Sequence, residues 1–232
     1  MTISAPPCIV LAGGLGTRLR GVVADRPKCL APVGSRTFLE IQLDALRAQG
    51  VSDLVLSLGH RAEQVVDWLR TYPARQSVRT VVEPAPLGTG GAIAHVMDSL
   101  DLQVALVANG DTFLDGSLRA MLTPLRADGS EWLRMALVEV PDRTRFGGVT
   151  IDSAGQVTGF VPKGSGSPGA INAGLYHLSR QALSAASGAF SIESDVLPGL
   201  VAAGRVFGVA LDGGFTDIGV PEDYADFCAQ HG

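Results

Sequence analysis

The sequence predicts an α/β fold, a mainly parallel sheet with helices on both faces, and three observations carry that expectation. Apolar runs of strand length alternate with helix-spaced apolar patterns through the first half of the 232 residues, the order that builds parallel sheets through helical crossovers. The first run, Cys8-Ile-Val-Leu-Ala12, stops at Gly13, Gly14 and Gly16. Ligand sites in such sheets lie beyond the carboxyl ends of the strands. The second half turns to short β-rich segments joined by turn residues, which predicts a small antiparallel layer over the main sheet.

Residues 9–12 form the first strand run. In 37–49, Leu39, Leu43 and Leu46 recur at helical spacing and Gly50 supplies a C-terminal stop. Residues 51–58 read as a buried strand, 61–70 as a helix with Val65, Val66 and Leu69 on its apolar side, and 78–82 as the next strand. Residues 88–100 look helical after a glycine-rich start, 103–108 form a strand ending at Asn109-Gly110-Asp111, and 114–126 are expected to form a further helix. Beyond them, 132–140, 147–152 and 156–161 are strand candidates for the antiparallel layer, and Lys163-Gly-Ser-Gly-Ser-Pro-Gly169 reads as a mobile loop. Residues 171–178 and 206–211 read as strands, 179–186 as a short helix, and 221–229 as a closing helix with proline in its first turn. No internal repeat or domain boundary is visible, so residues 1–232 are expected to form one domain.

Hydrophobic residues make up 46% of the chain, enough for a sizeable core. A formal charge of −5 and a pI near 5.3 argue against a broad nucleic-acid footprint, so any anion is expected in a local pocket. Three cysteines without a C-x-x-C pair suit a reducing compartment without structural disulfides or zinc, and the cytoplasm is the expected location. The N-terminus lacks the basic region of a secretory signal. No apolar run reaches the roughly 18–20 residues a membrane span needs, so neither membrane nor nucleic acid is an expected partner. A mean hydropathy of +0.26 fits either strands buried on both faces or a homo-oligomer interface, and both readings stay open.

The stretch from Cys8 to Lys28 is a phosphate site by composition. Its glycines let backbone N–H groups approach and converge on phosphate oxygens. Thr17 offers a hydroxyl, and Arg18 and Lys28 add positive charge. A Walker-type loop would need Gly-Lys-Ser/Thr at its end, and a dinucleotide fingerprint would need a third glycine where Leu19 stands. Neither fits. A glycine turn with solvated basic residues is the competing reading of the composition.

Leu11-Ala-Gly-Gly-Leu-Gly-Thr-Arg-Leu19 resembles the Leu-Ala-Gly-Gly-x-Gly-Thr-Arg-Leu signature of sugar-1-phosphate nucleotidyltransferases, and Pro27-Lys28 matches that family's downstream pair. Glu83-Pro-Ala-Pro-Leu-Gly-Thr-Gly-Gly-Ala92 looks like the base-binding segment, and Asn109-Gly110-Asp111 like the strand end with a metal-binding aspartate. Ile171-Asn-Ala-Gly-Leu-Tyr176 looks like the sugar-contacting stretch, and Phe215-Thr-Asp217 opens the segment with the second such aspartate. The matches span residues 8–224 in the family's order.

The resemblance implies a Rossmann-like three-layer α/β/α nucleotidyltransferase fold with a small antiparallel sugar-binding subregion. It implies nucleotide contacts from Leu11, Ala12, Gly13, Gly14, Gly16, Thr17, Glu83, Gly88, Thr89 and Asn109. Asp111 and Asp217, hard oxygen ligands, would take Mg²⁺. Arg18 would draw off charge on departing pyrophosphate, Lys28 would offset charge near the α-phosphate, and Lys163 would hold the incoming sugar 1-phosphate. Such a site transfers a nucleoside monophosphate from an NTP by direct in-line attack. Guanine presents two adjacent donors that a carboxylate such as Glu83 can accept in a fork, which favours GTP; the alternative for Glu83 is a strand-end carboxylate facing water.

Within the family, Pro86-Leu-Gly-Thr-Gly-Gly-Ala-Ile93 and Asp217-Ile-Gly-Val-Pro-Glu-Asp-Tyr224 look most like the guanylyltransferases acting on D-glycero-α-D-manno-heptose 1-phosphate. Mannose-1-phosphate guanylyltransferase, or a uridylyl or thymidylyl relative, is the close alternative, and a non-catalytic sugar-nucleotide sensor the distant one. Pro162 stands where a glutamate usually precedes the lysine, so Gly147, Asn172 and Glu193 become the expected polar sugar contacts, with helix capping the rival role for Glu193. Cys29 replaces a common proline and reads as a packing change. The four histidines carry no ligand spacing and read as structural, and Arg143 and Arg145 read as solvated charge.

Overall fold

The computed structural model describes residues 5–14, 26–164 and 166–232. Gly16, Thr17 and Arg18 lie outside the described residues. In chain order the strands and helices are β1 (Cys8–Leu11), β2 (Pro32–Val33), β3 (Arg36–Thr37), α1 (Phe38–Ala48), β4 (Leu54–Leu58), α2 (Ala62–Leu69), β5 (Val78–Val82), α3 (Gly88–Ser99) and β6 (Val104–Asn109). They continue with β7 (Thr112–Leu114), α4 (Arg119–Leu122), β8 (Leu133–Val140), β9 (Gly148–Ile151), β10 (Val157–Val161) and β11 (Gly169–Ser179). The chain then forms α5 (Leu197–Ala202), β12 (Val206–Ala210), β13 (Phe215–Asp217) and α6 (Pro221–His231).

Among the described residues, seven strands make the main sheet in the order β12-β8-β11-β6-β1-β4-β5. Every neighbouring pair is parallel except the two made by β11. Side-chain alternation builds three layers. Cys8 and Val10 of β1, Leu54, Leu56 and Leu58 of β4, and Leu106 and Ala108 of β6 pack with Leu39 and Leu43 of α1 and Val65 of α2. The intervening Ile9, Val55, Ala105 and Val107 face Ile93, Val96 and Met97 of α3 and Leu197 and Leu200 of α5. Burial on both faces is why these strands read as unbroken apolar runs.

Local chemistry sets the helix ends. The Thr37 hydroxyl accepts the Glu40 N–H at 3.3 Å, an N-cap for α1, and Gly50 follows the helix at φ +93°. Pro221 opens α6, where the missing N–H costs nothing. A third apolar cluster joins α6 to the rest: Phe227 packs against Phe38 and Phe113 with ring centroids 5.1 Å apart in each pair, alongside buried Ile218. Phe113 and Ile218 sit beside the two aspartates singled out in the sequence, so this cluster anchors both.

Two elements differ from the sequence expectation. Residues 132–140 were expected in the antiparallel layer, but β8 lies in the main sheet, parallel to β12 and antiparallel to β11; the separate two-stranded layer is β9–β10. The helix expected over 114–126 is confined to Arg119–Leu122, because Thr112–Leu114 pairs with Phe215–Asp217 and the Asp115 carboxylate then accepts the Gly214 N–H. The helix-spaced Leu118 and Met121 are buried all the same. Within the segment read as a mobile loop, Ser167 receives the Arg143 guanidinium, on its carbonyl at 3.1 Å and its hydroxyl at 2.7 Å. Among the described residues no helix is long and apolar enough to cross a membrane.

His177 is structural, as expected. It is buried opposite Arg134 in the β11–β8 ladder, with Nδ1 2.9 Å from the Met121 carbonyl. Burial holds its imidazole below the ordinary 6.5, so the fold keeps it neutral. The unfolded chain takes up a proton below that pH and the folded chain does not, so stability is complete above about 6.5 and declines as pH falls beneath it. His177→Gln is therefore expected to lose less melting temperature than the parent between about pH 7 and 5. Equal losses in thermal denaturation would contradict this origin.

Candidate active site

Strands β1, β4, β5 and β6 end together, and the connection direction switches between β1 and β6, the point beyond whose carboxyl ends sheets of this kind bind ligands. The loop after β1 is held by its neighbours: Ala12 donates its N–H to the Ser57 carbonyl at 2.9 Å, and Gly13 accepts the His60 N–H at 3.2 Å. A Cβ on Gly13 would fall 2.8 Å from the Gly59 nitrogen, so the loop lies directly on the end of β4. Gly14 is exposed, and among the described residues nothing stands within 4 Å of where its Cβ would lie. Leu11 lies in register with Asn109 of β6.

Lys28 follows Pro27 on a 3₁₀ turn whose Cys29 and Leu30 are buried. Its Nζ lies 2.8 Å from Asp111 Oδ2 and 3.7 Å from Asp217 Oδ1. These aspartates are over a hundred positions apart in the chain. The β7–β13 ladder unites them by setting Asp217 opposite Thr112, and the Ile218 N–H donates to the Asp111 carbonyl at 3.0 Å. Asp217 is further oriented by the Gly219 N–H, 2.7 Å from Oδ1. Gly219 must lack a side chain, because its Cβ would stand 2.6 Å from Asp217 Oδ1 and 2.9 Å from Lys28 Nζ. The Asp111 side chain is 35% exposed, that of Asp217 19% and that of Lys28 11%, so Asp111 is the most open member of the cluster and the ammonium the most buried. Burial pushes the adjacent Cys29 thiol up to about 12, which leaves it an inert packing group.

Glu83 stands at the end of β5. Its Oε2 accepts the Leu87 N–H at 3.1 Å, while Oε1 lies over Gly59 beside the Gly13 carbonyl. Gly88, Gly90 and Gly91 open α3 against residues 188–190, with Gly90 and Gly91 donating to the Phe190 carbonyl at 3.0 and 3.1 Å. Thr89 and Glu193, expected on the nucleotide and sugar sides, bond each other: the Thr89 hydroxyl donates to Glu193 Oε2 at 2.7 Å and accepts the Ile192 N–H at 3.0 Å. The capping residue of that π-helical turn, Ile192–Val196, is Ser191, whose hydroxyl also donates to Glu193 at 2.8 Å.

Asn172 lies at a bulge in β11, its amide donating to Tyr176 Oη at 2.6 Å and its oxygen accepting the Gly174 N–H at 3.0 Å. Burial first, then the charge of Glu193, raises the Tyr176 phenol well above its usual range. Gly147 turns at φ +73° directly against β10, where a Cβ would meet the Val161 carbonyl at 2.7 Å and Lys163 Cγ at 3.6 Å. Lys163 is exposed, with no polar partner among the described residues. Arg145 is exposed, as expected of solvated charge, and it also forks onto Asp223 of α6 at 3.0 and 2.7 Å, which raises its pKa, with Asp217 adding to that field. Phe146 stacks edge-on against Phe215, which joins the Gly147 turn to the strand carrying Asp217.

Gly59, Gly219 and Gln42 were missed in the sequence. The Gln42 amide donates to the carbonyls of Asn109 and Thr112. Its signal was a polar residue inside the apolar stripe of α1.

A model of the nucleotidyl transferase family matches residues 8–231. The chain is 34% identical over 224 residues to the D-glycero-alpha-D-manno-heptose 1-phosphate guanylyltransferase of Campylobacter jejuni, covering 94% of this chain and 97% of that relative. It is 35% identical over 222 residues to the protein of the same name from Aneurinibacillus thermoaerophilus, covering 93% and 94%. HddC from Yersinia pseudotuberculosis, in its crystal structure complexed with GMP-PN, matches with a TM-score of 0.85 at 33% identity over 97% of this chain and 99% of that one. By sequence over nearly its whole length, and by fold, the chain belongs to the nucleotidyl transferase family.

Proposed function

We propose that the protein transfers GMP from GTP to D-glycero-α-D-manno-heptose 1-phosphate, releasing pyrophosphate. The observation that carries the reading is Lys28 touching both Asp111 and Asp217 beside the glycine loop, because it gathers cationic and anionic groups where a triphosphate would lie. The heptose and the guanine rest on the relatives' names and, for guanine, on Glu83 at the β5 end. A sugar phosphate oxygen, already deprotonated, attacks the α-phosphorus. The bond to the bridging oxygen of the β-phosphate breaks, and pyrophosphate leaves with the electron pair. Lys28 and Arg18 balance negative charge at the phosphates, and the glycine-loop amides orient them.

Asp111 and Asp217 are the residues that would hold Mg²⁺. The donor set suits it: two partly exposed carboxylates close enough to share one ammonium match an ion that binds through one or two carboxylates plus substrate phosphates. When bound, the ion supplies charge neutralisation at the phosphate oxygens. On the acceptor side, Lys163 and the Gly147 turn bind the sugar phosphate, while Asn172 and Glu193 shape the sugar wall through Tyr176 and Thr89.

A nucleotide screen at a fixed concentration of the heptose 1-phosphate tests the base assignment. GTP is expected to release pyrophosphate, and Glu83→Gln to lose about 10- to 100-fold in kcat/KM for GTP through loss of a forked pair. Strong turnover with UTP and none with GTP would sink the assignment.

A further inference from the structure

Gln42 of helix α1 and Gln49, which caps the helix's C-terminus, lie seven residues apart, and both reach the chain that leaves β6. Gln49 accepts the Leu118 N–H at 3.3 Å and donates to the Gly116 carbonyl at 3.1 Å. Gln42 lies where α1 is otherwise apolar, flanked by buried Leu39, Ile41, Leu43 and Leu46. Its Nε2 donates at 2.8 Å to the Asn109 carbonyl and at 2.7 Å to the Thr112 carbonyl, the residues two before and one after Asp111. The Oε1 atom is buried with no hydrogen-bond partner among the described residues. A buried amide with an orphan oxygen costs stability that a leucine or methionine would not. Both of its amide hydrogens are spent on one turn.

Packing holds that turn on one side, where a Cβ on Gly110 would collide with the Leu11 carbonyl, and leaves it open on another. On the α1 side it borders a cavity of about 30 Å³ lined by Gln42, Gln49, Asn109, Thr112 and Phe113. Side chains bordering a gap lose contacts on that side, so hydrogen bonds are left to define the backbone there. On the other side the Ile218 N–H holds the Asp111 carbonyl at 3.0 Å. The aspartate is thus held by the clamp from α1, by the β13 ladder and, through the Gly110 N–H on the Leu11 carbonyl at 3.1 Å, by the end of β1.

We propose that Gln42 is a positioning residue, which sets the turn carrying Asp111 so that its carboxylate meets the metal and phosphates. The proposal rests on the reading of Asp111 given above. Four variants test it together: Gln42→Met, Gln42→Glu, Gln49→Met and Asp111→Asn. Each is followed by melting temperature, by kcat and KM for GTP, and by Mn²⁺ binding to the complex with a non-hydrolysable GTP analogue, read from the electron paramagnetic resonance of free Mn²⁺.

Gln42→Met loses an orphan oxygen but leaves two carbonyls without their donor, so it is expected to lower the melting temperature as Gln49→Met does, while losing about 10- to 100-fold in kcat with KM nearly unchanged and binding Mn²⁺ about tenfold more weakly. Gln49→Met, whose bonds lie further along the chain, is expected to lower the melting temperature while kcat and Mn²⁺ affinity stay near the parent. Parental kcat and Mn²⁺ affinity in Gln42→Met, with Asp111→Asn crippled, would overturn the positioning role alone. Equal losses in Gln49→Met would overturn it too, since general loosening would then explain both. Parental activity in Asp111→Asn would instead overturn the reading on which the proposal rests. Should Gln42→Met not fold, Gln42→Glu keeps the shape and exchanges the donors for acceptors; parental rates in that variant would be equally fatal.

Discussion

Asp217→Asn is expected to lower kcat by about a thousandfold while moving the melting temperature by no more than a few degrees. The asymmetry follows from the local bonds. Asparagine keeps an oxygen that can accept the Gly219 N–H, now 2.7 Å from Oδ1, and the β7–β13 ladder is backbone only. What disappears is a formal charge at a partly exposed carboxylate pair, which is what a divalent ion and the developing pyrophosphate charge respond to. Asp111→Asn should behave alike, because its carbonyl still receives Ile218 and only the carboxylate changes. Pyrophosphate release and thermal denaturation on the same preparations check this, and full turnover in both variants would refute the assigned site.

Lys28→Met is expected to cost about a hundred- to a thousandfold in kcat, with a second signature that distinguishes charge from packing. Methionine keeps the length and apolar stem but leaves Asp111 and Asp217 without the ammonium that lies 2.8 and 3.7 Å from them. Two carboxylates sharing a site repel, so the variant should melt lower without divalent ions. Mg²⁺ should then raise its melting temperature by more than it raises the parent's, because binding to the native state alone stabilises it. Equal Mg²⁺-induced shifts in the two proteins would argue that Lys28 does not share the carboxylates' space.

Much of this architecture was legible because burial leaves a strong pattern. The apolar runs at Cys8–Leu11, Leu54–Leu58 and Val104–Asn109 mark strands covered on both faces, and the glycines after the first of them mark the crevice. The same signal misled at residues 114–126. Leu118 and Met121 recur at helical spacing and are buried, but periodicity reports which side faces the core, not which hydrogen bonds form. The three-residue partners β7 and β13 are too short to show alternation, so the ladder that brings Asp217 to Asp111 was beyond local reading and only the family resemblance pointed to it. Glu193 was read as either sugar contact or cap. Its bonds to Thr89 and Ser191 show a carboxylate tying α3 to the π-helical turn at Ile192–Val196, a pairing 104 positions apart that no local pattern encodes.

The glycine loop gains meaning from these partners. Gly13 lies on the end of β4 and beside Glu83, while Lys28 at the loop's far side reaches the two aspartates. Glu83 and Lys28 therefore stand at the two described ends of that stretch, the carboxylate by Gly13 and the ammonium by the aspartates. That arrangement suits nucleotidyl transfer, and turnover is what separates an enzyme from a sensor.

The most direct measurement is mass-spectrometric product analysis with pyrophosphate counting, using purified protein, GTP, Mg²⁺ and either D-glycero-α-D-manno-heptose 1-phosphate or hexose 1-phosphates such as mannose 1-phosphate. The predicted result is one pyrophosphate released per GDP-heptose formed, dependent on the sugar phosphate and fastest with the heptose. Tight GTP binding with no pyrophosphate from any sugar phosphate would contradict it.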